Sequence, residues 1–142
     1  MKQSVKKILL FGVFDIVHKG HRNLFRQAKE CANFLIVSLA REPNIRRLRN
    51  GRMPQNSEEE RLENMQKEKL VDKCFLGEIK DPFHVIKREK PDIIGLGYDQ
   101  QHELVEKLEE KLKEMGMEDV EIVRFKAFEP EIYKSSKLRL KI

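Results

Sequence analysis

Two histidines, His18 and His21, flank Lys19 and Gly20. Three residues apart, they fall on one face of an incipient helical turn. From there both imidazoles can donate N–H bonds to the oxygens of one phosphoryl group. A hydrogen bond to a charged group contributes about 1.5–3 kcal/mol net. Two donors that tighten as negative charge builds can therefore accelerate transfer at phosphorus by orders of magnitude. A second set lies near the other end of the chain, where Lys134-Ser135-Ser136-Lys137-Leu138-Arg139 combines hydroxyls with cationic side chains. Serines opening a helix offer hydroxyls and backbone N–H groups, both suited to terminal phosphates. The bland alternatives are a polar turn for the histidines and a plain helix cap for the serines. A zinc site needs more ligands at suitable spacing, and no cysteine stands beside the histidines.

The elements that must hold these groups can be read from hydrophobic period. Ile8-Leu9-Leu10-Phe11 is a buried strand, and the segment from Gly12 to His21 is a tight turn opening a helix. Gly12 ends the strand and lets backbone and ligand approach closely. In an open parallel sheet that position is the ligand crevice. Strands are expected at about 6–11, 34–40, 73–76, 92–96 and 120–125, alternating with helices at about 19–32, 57–69, a short one after Pro82, and 101–115. Leu24, Phe25 and Ala28 form the apolar stripe of the first helix. Ser57 with Glu58, Glu59 and Glu60 is a capping box, and Gly116 suits the position just past a helix end. The polar stretch 41–56, with Pro43, Gly51 and Pro54, reads as a long functional loop. Alternating strands and helices predict one α/β domain spanning 1–142, a five-stranded parallel sheet with helices on both faces. A last short helix is expected near Ser135.

Composition sets the outer bounds. The chain has 142 residues, 37% of them charged, and a net charge of +5. No apolar run approaches a membrane span, the start of the chain leaves no room for a signal peptide, and Cys31 and Cys74 show no disulfide or metal spacing, so a cytoplasmic setting is expected. The basic excess suits an anion-attracting cleft. Nucleic acid is disfavoured, because the basic cluster 46–52 has few aromatic neighbours to stack bases. Arg46, Arg49, Arg52 and Arg61 are candidates to clamp a phosphate, which guanidinium reads bidentately. Arg46 and Arg47 are more simply solvated surface charge. Gly97, Tyr98, Asp99 and Gln100 close the fourth strand beside the first. They fit either a turn with a helix cap or a ligand contact.

The run Gly12-Val13-Phe14-Asp15-Ile16-Val17-His18-Lys19-Gly20-His21 matches G-x-F-D-x-x-H-x-G-H. It resembles the H-x-G-H nucleotidyltransferase superfamily, in its cytidylyltransferase-like branch. The resemblance implies a Rossmann-like fold of the HUP type and nucleotidyl transfer from an NTP to a phosphate-bearing acceptor, with release of pyrophosphate. It implies catalytic roles for His18, His21 and Arg139, and nucleotide contacts from Gly12, Val13, Phe14, Asp15, Lys19, Gly20, Gly97, Asp99, Ser135 and Ser136. Asp15 orders the turn rather than acting as a base. Acceptor contacts fall to Arg52, Arg61, Tyr98 and Gln100. Mg²⁺ is expected, bound mainly through the nucleotide phosphates, and a homodimer is common in such proteins.

Leu70-Val71-Asp72-Lys73, Lys90-Pro91-Asp92-Ile93-Ile94, Gly97-Tyr98-Asp99-Gln100 and Arg52-Met53-Pro54 also look like the archaeal FAD synthase group. That resemblance implies FMN as acceptor and ATP or CTP as donor. Glycerol-3-phosphate cytidylyltransferase and phosphopantetheine adenylyltransferase share the motifs and are the alternatives within the superfamily. A non-catalytic nucleotide- or RNA-binding module is the alternative of another class.

Overall fold

The computed structural model describes residues 5–48, 53–97 and 102–126. Five strands, β1 (Lys7–Gly12), β2 (Phe34–Leu39), β3 (Lys73–Leu76), β4 (Ile93–Leu96) and β5 (Glu121–Arg124), form one parallel sheet in the order β3-β2-β1-β4-β5. Among the described residues five helices lie between them: α1 (Lys19–Cys31), α2 (Glu42–Leu48), α3 (Glu58–Met65), α4 (His84–Glu89) and α5 (His102–Glu114).

Strand period explains the two layers of core. Alternate side chains of β1 point to opposite faces. Ile8 and Leu10 join Phe25 and Ala28 of α1 and Met65 of α3 on one face. Leu9 joins Val85 and Ile86 of α4 and Leu108 and Leu112 of α5 on the other. Because both faces are covered, the central strands are near-continuous apolar runs. Ile8, Leu9, Leu35, Ile36, Val37 and Ile94 are all fully buried, each burial contributing about 1.5–3 kcal/mol.

Strand β1 pairs with β2 on one side and β4 on the other, with Leu9 opposite both Ile36 and Ile94. The chain goes from β1 to one side and returns to the other at β4. The ends of β1 and β4 therefore flank the switch point where open α/β sheets bind ligands.

Two expectations are corrected. Residues 41–56 are not all loop, because α2 forms within them. Pro43 sits in its first turn, where a missing N–H costs nothing. Asn44 and Ile45 are buried, and Asn44 Nδ2 donates to Ile79 O at 3.1 Å. Tertiary burial thus stabilises a helix too short to stand alone. The helix expected to reach residue 69 ends at Met65, its last buried residue. Residues 66–70 turn instead and bring Leu70 back against the core. The expected end of the helix before β5 holds: Gly116 adopts φ +69°, and Met117 N donates to Leu112 O at 2.8 Å.

Candidate active site

The site grows from the turn between β1 and α1. Phe14 is buried and adopts φ +48°, a left-handed conformation that costs a non-glycine residue about 1–2 kcal/mol. Packing holds it there: its ring meets Phe25 at 5.7 Å and the edge of His21 at 5.2 Å between centroids. The same ring lies over Gly12, where an added Cβ would come within 2.6 Å of Phe14 Cε2. Gly12 thus makes room for a protein side chain, not only for a ligand.

His18 caps α1. Gly20 N donates to His18 Nδ1 at 3.1 Å, and His18 N donates to His21 Nδ1 at 3.2 Å, a reciprocal capping box built from two imidazoles. The rings stack with centroids 3.9 Å apart and planes at 25°. An Nδ1 that accepts a hydrogen bond carries no proton, so each neutral ring keeps its proton on Nε2. The turn therefore fixes both orientation and tautomer. Lys19 is exposed on the first turn of the helix, where the backbone amides of a helix N-terminus favour an anion.

Asp15 is used structurally. Its carboxylate accepts from Gln55 N at 2.7 Å and Asn56 N at 3.0 Å, and Asn56 Nδ2 donates to Asp15 O at 2.9 Å. These bonds fasten the turn to the residues leading into α3. Arg61 is fully buried. It donates to Val13 O from one terminal nitrogen and to Ala40 O from the other, both at 3.0 Å. The guanidinium expected at an acceptor phosphate thus lies beneath the ends of β1 and β2.

Arg41 and Glu58, to which the sequence assigned no site role, complete this edge. Glu58 is buried and accepts from both Nε and one terminal nitrogen of Arg41, at 3.3 and 3.2 Å, and from Glu42 N at 2.8 Å. Burial alone would raise its carboxyl, but Arg41, the Glu42 amide and Arg61 outweigh it and hold it below the usual carboxylate range. Arg41 also donates to Gly77 O at 3.2 Å, reaching the end of β3. Gly97 follows the end of β4, and Arg124 of β5 donates to its carbonyl at 3.0 Å. A local signal for Arg61 did exist: it stands four residues before buried Met65, on the same helix face.

The structure brings together Gly12, Val13, Phe14, Asp15, His18, Lys19, Gly20 and His21 at one turn, with Arg61 directly below and Gly97 just past the end of the neighbouring strand β4. Arg52, Tyr98, Asp99, Gln100, Ser135, Ser136 and Arg139 lie outside the described residues.

Comparison with known proteins places this geometry. A model of cytidylyltransferase-like proteins matches residues 9–141, and the chain belongs to that family. Among its relatives is an FAD synthase of Ferroglobus placidus, 39% identical over 135 residues that span 94% of this chain and 86% of that protein. An FAD synthase of Archaeoglobus profundus is 42% identical over 130 residues, 92% of this chain and 81% of the other. A crystal structure from Thermoplasma volcanium, described as a lipopolysaccharide core biosynthesis protein, superposes with a TM-score of 0.80 at 35% identity, covering 89% of this chain and all of that one. Among the described residues no helix is long and apolar enough to cross a membrane.

Proposed function

We propose that this protein is an FAD synthase that moves AMP from ATP to the phosphate of FMN. The observation that carries the reading is the paired imidazole cap. Both Nδ1 atoms are spent on the backbone, which leaves each neutral ring an Nε2–H donor at a helix N-terminus beside the β1/β4 switch. The names of the relatives supply the acceptor and donor.

An FMN phosphate oxygen attacks the α-phosphorus in line. The bond from Pα to the β-bridging oxygen breaks, and pyrophosphate leaves with that electron pair. No protein nucleophile is required, so catalysis rests on position and charge. His18 and His21 donate to the α/β-phosphate region, and Lys19 adds positive charge. Ser135, Ser136 and Arg139 receive the departing β- and γ-phosphates. Tyr98, Asp99, Gln100 and Arg52 serve the base and the acceptor. Arg61, bonded to Val13 and Ala40, positions the loop.

The residues fit a magnesium ion that arrives with the nucleotide. Asp15 already accepts from two backbone amides. Held through phosphate oxygens and water, Mg²⁺ would neutralise charge on the triphosphate. The free thiols Cys31 and Cys74 suit a reducing cytoplasm.

Pyrophosphate release, with chromatography of the flavin product, tests the proposal. ATP with FMN should yield FAD. Release only with CTP and glycerol 3-phosphate would reassign the acceptor, and no release with any pair of substrates would remove the enzymatic reading.

A further inference from the structure

We infer that Phe14 is a positioning residue for His21, a wall that sets the direction of the imidazole from a backbone fixed in a left-handed turn. This inference rests on the reading of His21 as a donor to the reacting phosphates.

The Phe14 ring is turned inward. Only 8% of the residue is exposed, and its ring neighbours are protein. Phe25 lies with its centroid 5.7 Å away, and His21 lies 5.2 Å away at an interplanar angle of 74°. A nearly perpendicular pair is a favoured aromatic arrangement. His21 meets two further restraints. The His18 ring stacks on it at 3.9 Å, and His18 N donates to its Nδ1 at 3.2 Å. Stacked rings can slide past one another, and a perpendicular ring packed against one of them opposes the slide. The Phe14 side chain therefore serves the imidazole rather than the nucleotide.

The backbone shows that this placement is enforced. Phe14 has φ +48°, and such strain persists only where the surroundings over-determine it. Both chain neighbours are fastened. Val13 O accepts from fully buried Arg61 at 3.0 Å. Asp15 accepts from Gln55 N and Asn56 N through its carboxylate, and from Asn56 Nδ2 through its carbonyl. A negative φ between the same two anchors would swing the ring elsewhere. Gly12 leaves the space the ring needs, since a Cβ there would stand 2.6 Å from Phe14 Cε2.

The test is a double-mutant cycle with Phe14→Leu, His21→Ala and the pair, each first checked for fold by circular dichroism. Leucine keeps an apolar side chain in the same space and removes the ring. Phe14→Leu alone should lower kcat roughly tenfold, part of the roughly 100-fold expected for losing His21, and leave KM for ATP and FMN within about twofold. In the His21→Ala background the same change should lower kcat by less than about twofold, because its target is gone. Losses that multiply would overturn the inference, and so would a raised KM for ATP with kcat kept, which would make Phe14 a nucleotide contact. A second readout needs no substrate. Isotope-edited NMR of the ring nitrogens should show His21 as a single Nε2–H tautomer in the unaltered protein and as a mixture in Phe14→Leu. An unchanged His21 signal in the folded variant would also overturn the inference. Phe14→Met supplies the same readouts should Phe14→Leu not fold. A protein that makes no FAD would sink the proposed reaction, while the ring spectra would still decide whether Phe14 sets His21.

Discussion

The side-chain amide of Gln27 pairs with the backbone of Lys126 as a neighbouring strand would. Gln27 Nε2 donates to Lys126 O at 3.0 Å, and Lys126 N donates to Gln27 Oε1 at 3.2 Å. Nε2 also donates to Asn23 Oδ1 at 2.8 Å. The helix that begins with the two imidazoles thus also holds the chain as it leaves β5, 9 residues before Ser135. Gln27→Ala should cost about 1 kcal/mol in stability for the lost pair. Urea unfolding measures that loss. If the tail binds the triphosphate, KM for ATP should rise more than KM for FMN.

The dual use of His18 separates capping from chemistry. Asn at this position keeps a side-chain acceptor for the first turn but lacks the Nε2–H group. His18→Asn should therefore melt close to the unaltered protein and turn over roughly 100-fold more slowly. His18→Ala loses the cap as well and should be less stable by about 1 kcal/mol. His21→Ala should lower turnover by roughly 100-fold or more. Near-normal turnover in His18→Asn or His21→Ala would remove the imidazoles from the reaction.

Acid should weaken the fold through Glu89. Burial alone would raise its carboxyl, yet bonds from Lys73 and Arg88 hold it below its ordinary value of 4.5. The unfolded chain then binds a proton more readily than the folded one. The stabilisation is complete above pH 4.5 and fades as pH falls below it toward the lower folded value. Glu89→Gln should destabilise by about 1–2 kcal/mol at neutral pH, discounted because half-exposed Lys73 is screened by solvent. The gap to the unaltered protein should narrow as pH falls below 4.5. Melting curves against pH check this, and a constant gap would contradict it.

Periodicity made the sheet and four of the five helices legible, because two-residue and 3.6-residue repeats are local signals. The histidine turn was legible for the same reason: its glycines, aspartate and imidazoles are contiguous. Helix α2 was not, since its polar, proline-containing sequence is stabilised by Asn44 reaching Ile79 O and by burial of Ile45. Nor could sequence show that Arg61 would face the carbonyls of Val13 and Ala40 rather than solvent or ligand. Those partners stand 48 and 21 residues away. The ties of Asp15 to Gln55 and Asn56, and of Arg41 to Glu58, share this character. They join loops that meet only once the sheet has ordered them.

The central place of β1 also governs how the nascent chain matures. One border is matched early by β2, but the other waits for Ile93–Leu96, about 85 residues later in synthesis. Until those residues leave the ribosome, the edge of β1 that will pair with β4 is left without a partner. Fragments ending before residue 93 should therefore be prone to aggregate, and slow closure over β1 is where a chaperone would have its longest opportunity to act.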